Sequence, residues 1–195
     1  MKPGMYVGTG GPDQPAASLF IELSRRFLTE EYPAKLRQCV DVLPDSAIWA
    51  RSNESSNSIG NLLLHLAGNI MQWIVGGVGN KAVDRDRAAE FAARGGPSGT
   101  ELLKRLTDVL RESDAVLESL RDEDLSSSRL IQGRETTVLG AIYHVIEHFA
   151  MHTGQIVLLT KIHAAGAIHF YDDSQPNARP LWKTGAAEGF KGERK

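Results

Sequence analysis

Between Ala16 and about Leu43 the apolar residues Leu19, Phe20, Leu23, Phe27 and Leu28 recur at three- and four-residue spacing, with charged and polar residues between them. That period puts them on one face of a helix. Pro33 lacks a backbone donor and restricts Tyr32 before it, which predicts a kink or restart within this helix. After Pro44 the segment DSAIWARSNESSNS is rich in Ser, Asn and Asp. Asn57 or Ser58 is the expected N-cap of a second helix that runs to about Val75 and is ended by Gly76, Gly77 and Gly79. The stretch DRDRAAEFAARGGPSGTE, from Asp84, reads as a charged, partly ordered loop, with Asp84, Arg85, Asp86 and Arg87 as a solvated face or, alternatively, a lid over one end of the bundle.

Ser98 or Thr100 starts a third helix that reaches about Leu120. Leu102, Leu103, Leu106, Val109, Leu110, Val116 and Leu117 make its apolar face, and Lys, Arg, Asp and Glu fill the other. The polar run RDEDLSSSRLIQGRETT has room for a brief hairpin turned by Gly133. Thr136 or Thr137 caps a fourth helix from Val138 to about Ala164. Four long amphipathic segments without β alternation predict an all-α fold, an antiparallel four-helix bundle with two long connections. Residues 1–15, rich in glycine and proline, are the expected flexible arm and 16–165 the bundle. Residues 166–195 are a tail that packs on it through Phe170, Tyr171 and Trp182 and ends in mobile residues.

Composition narrows what such a bundle does. A chain of 195 residues buries a core without staples, so a metal here serves chemistry before stability. A net charge of -2 and a pI near 6.3 argue against nucleic acid as a partner. Cys39 is the single cysteine, read as a buried structural thiol in a reducing, cytoplasmic setting. The most apolar window, Ile59 to Val78, contains Asn61, His65, Asn69 and Gln72 and is too polar for a membrane span.

Three of the six histidines, His144, His148 and His152, stand four residues apart in HVIEHFAMHTGQ. Successive members are offset by about 40° around a helix, so neighbours can share one ion and the outer pair hardly can. Two imidazoles at this spacing suit a borderline divalent metal, and a catalytic site needs a third ligand and an open position. His65 is the best candidate for that ligand, because it lies on the other strongly apolar helix, flanked at four residues by Asn61 and Asn69. A single histidine on an apolar helical face is more often a hydrogen-bonded core residue; the pair together with His65 shifts the balance towards a metal. The same letters give a competing reading. His144, Glu147 and His148 spell the H-x-x-E-H motif of the inverted zinc peptidases, although those enzymes are much larger and only Glu188 and Glu193 remain downstream to complete their site.

The stretches NSIGNLLLHLAGNIMQWI and GAIYHVIEHFAMHTGQI, with the ending H-x3-H-x-G-Q, resemble the DinB-like superfamily, over most of 16–165. The resemblance implies a four-helix bundle, commonly a homodimer, with nickel, zinc or another divalent ion held by His65, His148 and His152, and His144 left off the metal. It also implies a small-molecule substrate, since relatives include bacillithiol- or mycothiol-dependent S-transferases, a maleylpyruvate isomerase, and proteins described as metal-dependent hydrolases. A non-catalytic dimeric module is the alternative. Gln155, one turn beyond the pair, is placed to orient a ligand imidazole or a bound water, with packing in the helix interior as its alternative, and Asn61 and Asn69 to do the same, to meet substrate or to satisfy buried backbone groups. Gly154 suggests close approach of a helix or substrate, and Trp73, Trp49 and Tyr143 are candidate pocket walls.

Overall fold

The computed structural model describes residues 14–172, 174 and 179–181. Residues 1–13 of the expected arm and the tail end from Trp182 lie outside the described residues. Helix α1 (Ala16–Arg26) passes through a wide turn, Phe27–Glu31, into α2 (Tyr32–Asp41) with helical backbone throughout. The wider turn stands immediately before Pro33, at the start of α2, where a regular turn would set the ring against the preceding carbonyl. The predicted restart is thus an adjustment within one rod.

A short α3 (Asp45–Ile48) leads to α4 (Ile59–Ile70), capped by Ser58, which continues as a wide helix over Met71–Val78. The charged connection expected to be a loop contains α5 (Arg87–Ala92), whose N-cap Asp86 accepts from the Ala89 amide. Ser98 caps α6 (Gly99–Glu118) in a capping box with Glu101, and Thr137 caps α7 (Val138–His163). Between α6 and α7 the hairpin is present: β1 (Ser128–Ile131) pairs antiparallel with β2 (Arg134–Thr137). Gln132 and Gly133 both take positive φ, as a two-residue turn of the hairpin type requires. A second, two-residue pair, β3 (Tyr171–Asp172) with β4 (Arg179–Pro180), follows α7.

The long helices form a four-helix bundle. Arg25 meets Asp114 at 2.7 Å and Gly99 lies against Val40, so α1–α2 and α6 run in opposite directions. Tyr32 stacks on Phe149 and Cys39 lies beside Thr160, which makes α2 and α7 parallel. His65 faces His148 and Trp73 faces His144, so α4 and α7 are antiparallel. The end of the second rod, Gly79, lies against Val116 near the end of α6, while Trp49 bridges their starts by packing on Gly60 and donating to the Pro97 carbonyl at 3.0 Å. The second and third rods therefore run the same way, which is what the long connection through α5 permits. Leu28, Leu36, Leu62, Leu66, Leu106 and Phe149 are among the buried side chains of one continuous core. No described helix is long and apolar enough to cross a membrane.

Candidate metal centre

The site begins with the cap of α4. Ser58 Oγ accepts from the Asn61 amide, and Asn61 Oδ1 in turn accepts from the Ser58 amide and hydroxyl. The Asn61 amide group donates to the carbonyls of Glu90 and Ala93 at 2.8 and 2.9 Å, which fastens α5 to the start of α4. Of the roles open to Asn61, its bonds here are to the Ser58 cap and to the α5 backbone. One turn on, His65 is 3% exposed; one turn further, Asn69 is also buried.

His148 and His152 project from α7 towards His65. The Nε2 atoms of His65 and His148 are 2.9 Å apart, and one nitrogen of each of the three rings lies within 4.8 Å of the other two. The outer nitrogens have partners. His65 Nδ1 is 2.8 Å from Glu90 Oε2 and His152 Nδ1 is 2.7 Å from Gln155 Oε1. Carboxylate and amide oxygens only accept, so both Nδ1 atoms carry the hydrogen, and in the neutral form of each ring Nε2 is left with a lone pair. Arg85 Nη2 also stands 3.1 Å from His65 Nδ1, but it can only donate, and Glu90 Oε2 takes it at 2.8 Å. Burial, then the neighbouring His152, His65, His144 and Arg85, pushes His148 down to about 3. Burial also lowers His152, against the opposing hydrogen bond of Gln155. His148 and His152 are thus neutral donors at neutral pH, converging on the buried face of His65.

His144 stands apart. Its ring packs on Trp73 at 4.1 Å and stacks on His148 at 5.4 Å, and it does not belong to the cluster of converging nitrogens. Among the described residues the converging set is His65, His148 and His152, without the His144 and Glu147 of the inverted-peptidase motif. Of the candidate walls, Trp73 is buried beside the histidines, Trp49 packs at Gly60, and Tyr143 is 63% exposed. A Cβ at Gly154 would meet nothing within 4 Å, so the close approach expected there is not made within the chain.

Arg85 and Glu90 belong to none of the histidine motifs, and neither is an expected site residue. Their side chains are 6% and 10% exposed, and Arg85 Nε meets Glu90 Oε1 at 2.6 Å while Nη1 donates to Gln72 Oε1 at 2.8 Å. Burial alone would raise the Glu90 carboxyl; hydrogen bonds and charge from Arg85 and His65 hold it below its ordinary value. Phe91 from the same short helix covers the His65 ring at 4.5 Å. The available signal was Asp86 as an N-cap ahead of Ala89, which marks a helix where alternating charge suggests solvent.

Residues 16–169 match the model of the family described as Protein of unknown function (DUF1572), and the chain belongs to that family. No curated protein matches it. Solved structures share the fold. A DinB-like protein from Bacillus cereus is 20% identical over 77% of this chain and 97% of its own, with a TM-score of 0.62. YfiT from Bacillus subtilis, described as a probable metal-dependent hydrolase with an unusual four-helix bundle topology, is 16% identical over 80% and 94%, TM-score 0.60. A second Bacillus subtilis DinB-like protein, YjoA, is 17% identical over 80% and 99%, TM-score 0.56. The bundle is a DinB-like fold.

Proposed function

We propose that this DUF1572 chain is a metal-dependent enzyme in which His65, His148 and His152 hold one divalent ion, nickel or zinc, and deliver water or a small thiol to an electrophilic small-molecule substrate. The observation that carries the reading is the convergence of the three imidazoles, two of them fixed with Nδ1–H turned outward onto Glu90 and Gln155. Converging nitrogen lone pairs in a buried site repel one another unless a cation or a proton lies between them, and a set of three imidazole nitrogens suits a borderline divalent metal with positions left open. When bound, such an ion lowers the pKa of water or a thiol and so supplies hydroxide or thiolate near neutral pH.

The chain's own residues orient and shield. Glu90 and Gln155 set the direction of two imidazoles, and Phe91 and Trp73 keep apolar surface against the histidines. Cys39 is fully buried and burial pushes its thiol up to about 11, so it stays protonated and away from the chemistry. The nucleophile then comes from solvent or cosubstrate. Water is supported by the description of YfiT as a probable hydrolase, and a low-molecular-weight thiol by the S-transferases among the relatives that the DinB-like resemblance implies. A cytoplasmic setting fits the same proposal. Metal analysis of tag-free protein against the triple alanine variant at 65, 148 and 152 tests it: equal, near-zero occupancy in both overturns the metal site. Full occupancy without metal-dependent turnover in ester, amide and thiol-plus-electrophile assays favours a binding module instead.

The reading includes a homodimer through α7. Leu139, Tyr143, Met151, Leu158 and Ile162 stand exposed along this helix, and Gly154 leaves open space at its middle. Glu147 and Lys161 are equidistant from Gly154 along the helix, so a two-fold contact about Gly154 sets each glutamate against the lysine of the other copy.

A further inference from the structure

We infer that Glu90, aligned by Arg85, is the positioning residue that sets the tautomer of His65 and its strength as a ligand, with α5 folded to bring it there. The inference rests on the proposed metal site and adds to it a residue from outside the histidine motifs. Three independent fixings support it. The Glu90 carbonyl is held by Asn61, one turn before His65 on the same helix, so the backbone that carries the carboxylate is anchored to the element it serves. The carboxylate takes Arg85 on both oxygens, at 2.6 and 2.8 Å, and Oε2 still meets His65 Nδ1 at 2.8 Å. Arg85 is itself held by Gln72, which also receives Gln132 from the hairpin turn.

Gly68 makes the room. A Cβ there would collide with Glu90 Oε1 and lie 2.7 Å from Arg85 Nε, so this face of α4, one turn beyond His65, is bare where the ion pair rests. An isolated buried carboxylate is costly, and Arg85 compensates its charge without removing the lone pair offered to His65. A carboxylate behind an imidazole fixes which nitrogen carries the proton and raises the basicity of the other, and loss of such a partner typically lowers metal affinity about 10–100-fold. Because Arg85 balances Glu90, the bound ion would keep its own positive charge towards water or a thiol.

The test compares wild type with Glu90→Gln and Glu90→Ala by two readouts: histidine ¹⁵N shifts of the metal-free protein, which report the tautomer, and zinc affinity by competition. Glu90→Gln keeps the shape and an accepting oxygen. The expected result is a His65 with Nδ1–H in wild type and Glu90→Gln, and loss of that tautomer in Glu90→Ala. Zinc affinity should fall about 10–100-fold in Glu90→Ala and less in Glu90→Gln, while His148 and His152 keep their shifts. An unchanged His65 tautomer with affinity within about twofold of wild type in Glu90→Ala overturns the inference. So does a change of all three histidines together in both variants, which marks a general loss of structure. If wild type binds no zinc, the metal proposal falls by itself. The metal-free tautomer then decides the Glu90 role alone: an unchanged His65 in Glu90→Ala overturns it and an altered one upholds it.

Discussion

His65 Nε2 and His148 Nε2 stand 2.9 Å apart although 83 residues separate them in the chain. Two unprotonated nitrogens at that distance need a shared cation or a proton. Single alanine variants at 65, 148 and 152 should each abolish stoichiometric metal in dialysed, tag-free protein. His144→Ala should retain it, because its ring lies on Trp73, outside the cluster. Gln155→Ala, at an exposed position, should leave the melting temperature nearly unchanged and weaken metal binding about 10-fold or more. Equal effects of His144→Ala and His152→Ala would refute this assignment.

Stability of the metal-free protein should fall with acid in a window set by the buried imidazoles. His148 is pushed down to about 3 and His144 and His152 are lowered, all with burial as the main cause. An unfolded histidine titrates near pH 6.5, so below about pH 6.5 the unfolded chain binds protons that the folded one excludes. The stabilisation is therefore complete above that pH and is lost as pH falls towards 3, at about 1.4 kcal/mol per pH unit for each proton excluded. Melting curves in chelator between pH 7.5 and 5 should slope more steeply for wild type than for the triple alanine variant. Parallel curves would contradict the depressed values.

Asn61 joins the α4 cap to α5, and two substitutions separate those roles. Asn61→Ala removes the cap acceptor and both donors, and should cost about 1–3 kcal/mol. Asn61→Asp keeps the acceptor for Ser58 but cannot donate to the Glu90 and Ala93 carbonyls. Hydrogen exchange should then rise over 87–93 while the start of α4 stays protected. If both regions remain as protected as in wild type, Asn61 does not fasten α5.

The α7 face predicts a dimer of the 21.3 kDa chain by light scattering. Leu158→Glu or Ile162→Glu should give monomers, since each places a charge on an exposed apolar stripe. Glu147→Lys should weaken the dimer, and adding Lys161→Glu should restore it if the two residues face each other across the two-fold. A monomeric wild type at tens of micromolar would exclude the interface.

The apolar period and the caps made the helices readable in advance: Ser58, Ser98 and Thr137 each hold the first turn that local chemistry assigns them, and Gly133 turns the hairpin. The spacing of His148, His152 and Gln155 is likewise a property of one helix, so their neighbourhood was legible before any fold was known. Helix direction was not. Periodicity says which face is buried and nothing about the path of a long connection, so the parallel run of the second and third rods comes only from Gly79 meeting Val116 at one end and Trp49 bridging Gly60 and Pro97 at the other.

Arg85 and Glu90 show the same divide at the site. Alternating charge at 84–87 reads as solvent-facing because a charged side chain is costly to bury without a partner. Its partners are on other elements: Glu90 on α5, Gln72 on the second rod and, through Glu90, His65 on α4. The sequence by itself determined the helices, their caps and the histidine spacing, because those depend on neighbours within a turn or two. Only the tertiary structure decided that His65 meets His148 and that a buried ion pair stands behind it, because compensation of a buried charge depends on what the fold brings within 3 Å, whatever the distance along the chain.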